Sequence, residues 1–223
     1  NIIGCYLQDT KIVLAHSPFE KQNGFLNKLI RYENFITALQ YFGYAKLGLP
    51  YMGVGRNLSY KKDLFESFKG FEKNKGTLSG DDDLFINAVA TSKNTEICLA
   101  KDSFTYTKPQ TTFINWINQK RRHLQTGFNY KWYHIVALFL FSLSSFMFYG
   151  LFFILLAKMY MLQIVLGIFI GTLFIKLAST YRIFTKLGVS DLRFISLPLD
   201  FIYILYLFLL FFLLLLKPKK SWK

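Results

Sequence analysis

Cysteine is scarce in this chain of 223 residues: Cys5 and Cys98 are its only two. Two such thiols make no disulfide framework and no ligand pair at metal spacing. Both are expected to be small, apolar-packed residues on a reducing, cytoplasmic side. Acidic residues are scarce too, with 13 Asp and Glu against 27 Lys and Arg and a formal net charge of +14. No nucleic-acid-binding module accompanies that excess, so nucleic acid is not expected as a partner. There is no internal repeat and no low-complexity linker. No initiator Met or signal peptide opens the chain, and Asn1-Ile2-Ile3-Gly4-Cys5-Tyr6 reads as the interior of a domain. The chain is therefore expected to be the C-terminal part of something longer.

Apolar residues, in contrast, make up 52% of the chain, and aromatics 19%. They concentrate after residue 134. The first 133 residues hold 18 basic and 11 acidic side chains, an ordinary soluble mixture. Beyond them, three runs at 134–157, 159–177 and 195–216 are each close to the roughly 20 residues needed to cross a hydrocarbon core of about 30 Å. Lys158 alone separates the first two, which predicts a tight hairpin, and Lys176 is expected to snorkel to the interface. Residues 179–193 read as a basic surface segment between the second and third runs. Domain, 179–193 segment and the basic tail 217–223 cannot all share one side after three crossings. Either the tail lies outside or one run is re-entrant, and Pro198 and Asp200 point to the third. A spanning third run with Asp200 near the cytoplasmic interface is preferred, because a mid-bilayer Asp costs about 2.5–3.5 kcal/mol.

Residues 1–110 read as α/β. A buried strand is expected at 11–16, a helix at 24–46, and a glycine-bearing strand at 51–60 whose backbone approaches something closely. Ser59 is expected to cap a short helix reaching Phe68. After a loop at 73–80, a helix opens on Asp81 and runs to about Thr91, and further strands are expected at 95–100 and 103–108. An amphipathic helix then covers 111–126 within an interfacial segment, 111–133, with Trp116, Trp132 and Tyr133 as membrane-surface anchors.

Two clusters carry the chemistry. Asp81-Asp82-Asp83 places three carboxylates together, and like charges this close raise at least one pKa, which suits a general base. At a helix start the same residues also serve as a solvated cap. Gln119-Lys120-Arg121-Arg122-His123 supplies guanidinium groups able to grip a diphosphate in bidentate fashion, or alternatively a lipid-facing anchor. His16 reads as a core residue.

The ordered set resembles membrane-bound family 2 glycosyltransferases of the inverting GT-A type, which include cellulose, chitin and hyaluronan synthases. Gly53-Val54-Gly55-Arg56-Asn57-Leu58-Ser59-Tyr60, continuing to Lys69-Gly70-Phe71, resembles the segment lining the acceptor side of that active site. Ser79-Gly80-Asp81-Asp82 resembles the acidic pair holding the catalytic base, with Asp82 the first choice and Asp81 the alternative. Gln119-Lys120-Arg121-Arg122-His123 resembles the Gln-x-x-Arg-Trp motif, with His123 standing where tryptophan is usual. The resemblance implies a partial Rossmann-like GT-A domain. Asp82 or Asp81 would be catalytic, and Gln119, Arg121, Arg122, His123, Gly55 and Asn57 would bind donor diphosphate or acceptor. It implies a nucleotide-sugar donor, a lipid-linked or glycan acceptor, the bilayer as partner, and a multi-pass cell-membrane protein with a cytoplasmic catalytic domain. A divalent cation, Mg or Mn, is implied on an Asp-x-Asp motif expected upstream of this chain, so the chain alone is expected to be inactive. The histidine leaves single addition at least as open as processive synthesis. Two other readings compete: a non-catalytic membrane-anchored scaffold or lipid-binding module, and a transporter component suggested by Lys176 and Asp200.

Overall fold

The computed structural model describes residues 2–70 and 80–215. The expected loop up to residue 79 and the basic tail at 217–223 lie outside the described residues. Strand β1, Ile12–Ala15, is buried at every position and forms the middle of a three-stranded sheet. It pairs antiparallel with β2, Leu58–Tyr60, and parallel with β3, Thr95–Cys98. A continuous apolar run suits a strand covered on both faces.

The strand expected over 51–60 shrinks to β2, because Gly55–Asn57 form a 3-10 turn. Ser59 does not cap a helix: it lies in β2, 2.7 Å from the Tyr6 hydroxyl, and helix α2, Lys62–Ser67, follows Lys61. Nor do residues 103–108 form a strand. Ser103 closes a 3-10 turn by donating to the Ala100 carbonyl, and only Phe19 and Thr107 pair beyond it.

Helix α1, Phe25–Lys46, lies against the sheet, where the Tyr41 hydroxyl donates to the Ala15 carbonyl. Its other flank meets the long helices, with Phe35 stacked on Phe184 at 4.0 Å. Helix α3 spans Asp81–Val89 and α4 spans Phe113–Gly127. Three helices, α5 (Trp132–Ala157), α6 (Leu162–Lys186) and α7 (Ser196–Leu215), are long and apolar enough to cross a membrane. Helix α6 runs well beyond the expected end at 177, so most of the basic stretch at 179–193 is helical until Gly188, at φ 73°, breaks it.

Side-chain contacts give these helices their directions. The Tyr44 hydroxyl donates to the Ala137 carbonyl, while Tyr32 and Tyr149 both donate to Asp200, so α5 runs antiparallel to α1. Phe201 meets Phe153 and Phe208 meets Phe146, so α7 is antiparallel to α5 as well. Because α5 and α6 form the expected hairpin, α6 and α7 run the same way. The chain between them doubles back across α1, where Asp191 takes two bonds from Arg31 at 2.7 and 2.8 Å.

Three further expectations are corrected. Asp200 is 3% exposed and accepts from Tyr32 (2.9 Å), Tyr149 (2.6 Å) and Lys176 (2.6 Å), so the two membrane-run charges neutralise each other. Trp116 is not a surface anchor: it is fully buried and stacked on Tyr206 at 4.2 Å. Cys5 and Cys98 are joined in a disulfide, because the N-terminal turn Ile2–Cys5 packs over β3, a contact between distant parts of the sequence.

Asp200→Ala leaves the Lys176 ammonium without its counter-ion. It is expected to lower stability by about 2 kcal/mol, below the range for a fully buried pair because Lys176 is partly exposed. Thermal unfolding in detergent reads this, and an unchanged midpoint would remove Asp200 from its central place. Thiol alkylation of the unfolded chain should add two reagent masses only after reduction.

Candidate functional site

Helix α3 sets the acidic cluster. It opens on Gly80, held at φ 86°, against which Thr126 of α4 packs so closely that a Cβ would overlap its side chain. The start of α3 therefore touches the last turn of α4. The Asp82 carboxylate accepts from the Gly55 backbone N–H at 2.5 Å. Gly55 has no room for a side chain, since a Cβ would strike that carboxylate. This is the close approach expected of the glycine-bearing segment.

Asp83, one residue on, turns inward and is 6% exposed. Burial, helped by the Asp82 charge, pushes its carboxyl well above the usual range, against a hydrogen bond from Tyr130 and the Lys120 charge. The pKa rise expected somewhere in the triplet thus falls on the buried member. Asn87, a turn further along, fixes α3 to the membrane end of the molecule. Its amide donates to the Tyr51 carbonyl, lies 2.9 Å from His134 Nδ1, and accepts from the Lys131 N–H.

Helix α4 is capped by Thr112, which accepts from the Asn115 N–H. Trp116 and Ile117 point into the core, and Lys120, one turn on from Trp116, follows them inward. Lys120 makes a 2.6 Å ion pair with Glu33 of α1, nearly closed to water on both sides. His123 retains exposed surface. Crowding, followed by the charges of Lys120, Arg122 and Arg56, lowers its imidazole to about 4. It is therefore neutral at physiological pH. Arg56 is depressed by the same crowding and held up by Tyr41, Glu33 and Asp82. It also stacks over Phe19, 4.4 Å from the ring centre.

Asp82, Arg56 and His123 thus share one electrostatic neighbourhood, to which Lys120 and Arg122 belong. Gln119 is half-buried on the same turn, as are Arg121 and Arg122, each of which has an interaction within the protein. Asp81 opens the helix beside Asp82 and is likewise engaged. Asn57 stands apart: its amide donates to the His16 and Ser103 carbonyls at 2.6 and 2.7 Å, so it serves the fold. Sequence reasoning missed Arg56 and Glu33 as partners. Arg56 lay in plain view inside the glycine-bearing motif, whereas nothing local marks Glu33.

The divalent cation implied by the resemblance finds no seat among the described residues. Among the described residues no three His, Cys, Asp or Glu converge. Asp82 faces an N–H donor, and Asp83 is turned inward.

Because Asp83 binds its proton more tightly when folded, its contribution is fully present below the usual carboxyl pKa. It is lost as pH rises through the raised value. Asp83→Asn should abolish that loss, lifting the melting temperature at pH 8 relative to pH 5 by about 2–4 °C, the change for roughly 1 kcal/mol in a chain of this size. A variant whose melting profile parallels the parent would place the Asp83 proton elsewhere.

No curated protein and no solved structure matches the chain. The family model described as glycosyl transferase family group 2 matches residues 12–216. That match covers the sheet, both charged clusters and the three long helices, and the chain belongs to this glycosyltransferase family.

Proposed function

We propose that the chain forms the acceptor-side and membrane part of an inverting glycosyltransferase of GT-A type, acting by single displacement. The observation that carries it is the shared neighbourhood of Asp82, Arg56 and His123, bounded by the basic turn of α4. Asp82 takes the proton from an acceptor hydroxyl. The hydroxyl oxygen attacks the anomeric carbon of a nucleotide-sugar, and the bond to the diphosphate breaks on the opposite face. Arg122, with Arg121 and Gln119, offsets charge on the departing diphosphate, since guanidinium groups contact phosphate oxygens in pairs. Gly55 fixes Asp82 through its N–H and leaves room for it. Neutral His123 adds hydrogen-bonding capacity without competing for the diphosphate charge. The acceptor is a lipid-linked or growing glycan in envelope or polysaccharide synthesis.

Membrane location is supported by α5, α6 and α7 and by exposed Phe113, Ile114, Leu124 and Phe128 on and beside α4, which would lie at the interface. Because α7 runs parallel to α6 and rests on α1 and α4, we place it as a re-entrant or surface helix. That puts the domain and the C-terminal end together on the cytoplasmic side, in keeping with the basic excess.

In the full gene product, Asp82→Asn should lower kcat by about a hundredfold to ten-thousandfold with little change in donor KM. Normal turnover by a folded Asp82→Asn protein would overturn the base assignment. Lipid binding without nucleotide-sugar turnover in the parent would favour the anchored scaffold.

A further inference from the structure

A cavity of about 270 Å³ lies between α1, α5, α6 and α7, away from Asp82. Protein interiors are close-packed, and one water needs only about 10–15 Å³. Most of its wall is apolar, including Phe35, Ile36, Leu177, Ile204 and Leu207. Polar groups interrupt that wall, among them Ser145, Lys176, Ser179, Thr180, Ser196 and Asp200.

Their hydrogen-bonding inventory selects the occupant. Ser145 donates to the Phe141 carbonyl, and Ser179 and Thr180 both donate to the Lys176 carbonyl. Each of these three hydroxyls has spent its single proton and keeps lone pairs. The Lys176 ammonium carries three N–H donors, one of which meets Asp200. The wall thus offers acceptors, spare ammonium donors and a charge balanced by Asp200. A phosphate has no proton to give these oxygens when fully ionised, and it would add negative charge beside Asp200. A hydroxyl group both donates and accepts, and brings no charge.

The surroundings supply the rest. Phe139, Leu140, Phe174 and Ile175 on the outer faces of α5 and α6 are exposed and apolar, as surfaces meeting hydrocarbon are. We propose that this cavity binds an uncharged lipid whose hydroxyl-bearing head group, glycerol or sugar, lies against Thr180, Ser145 and Lys176 while its chain follows the apolar wall. The site is distinct from the Asp82 neighbourhood and stands whether or not Asp82 is the base.

Native mass spectrometry of the full chain in detergent tests this with two probes sharing one oleoyl chain, monooleoylglycerol and oleoyl lysophosphatidic acid. One monooleoylglycerol per chain is expected, held at least about tenfold more tightly than the phosphate analogue. Thr180→Val, which keeps shape and removes one acceptor, should weaken it roughly three- to tenfold, and Ser145→Phe should abolish it by filling the space. If Ser145→Phe does not fold, Thr180→Val alone decides. Tighter binding of the phosphate probe, or parental affinity in Thr180→Val, would overturn the proposal. With nucleotide-sugar added to the active gene product, a sugar mass gained by the bound probe marks an acceptor lipid. An unaltered probe marks a resident one, and both outcomes support the site.

Discussion

Three consecutive residues of α1 hold the molecule together. Arg31, Tyr32 and Glu33 are all nearly closed to water, and each ties a different element. Arg31 grips Asp191 in the connection between α6 and α7, Tyr32 donates to Asp200 of α7, and Glu33 pairs with Lys120 of α4. Successive helical positions point about 100° apart, so one turn of α1 reaches three neighbours at once. A buried charge without a partner is strongly unfavourable. The four-helix arrangement and the placement of the basic turn therefore depend on the same stretch of backbone.

The candidate site inherits its geometry from this constraint. Lys120 is anchored by Glu33, which orients the turn carrying Arg122 and His123. The start of α3 is pressed against Thr126 at the far end of the same helix. Asp82 is then pinned by Gly55 from the sheet side. Charges of opposite sign are thus brought close by three separate elements, none of which holds the site alone.

Much of this was legible in the sequence, because the relevant signals are local. The apolar run of β1, the 3,4-spaced apolar residues of α1, the acidic opening of α3 and the glycine at its approach to Asp82 each follow from neighbours in the chain. What escaped depends on contacts between distant segments. The Cys5–Cys98 bridge, the inward turn of Asp83 onto Tyr130, the burial of Trp116 on Tyr206 and the neutralisation of Asp200 by Lys176 all require tertiary packing. The extra helical turns at the end of α6 were hidden by charge: Arg182 and Lys186 read as a surface loop, yet both are good helix formers on an exposed face.

Asn87 has a mechanical consequence. By joining α3 to Tyr51, Lys131 and His134, it couples the acid-bearing helix to the first turn of α5. Each residue added to a helix advances it about 1.5 Å and rotates it about 100°. The short link between Tyr130 and His134 therefore fixes where the carboxylates stand relative to the first turn of α5.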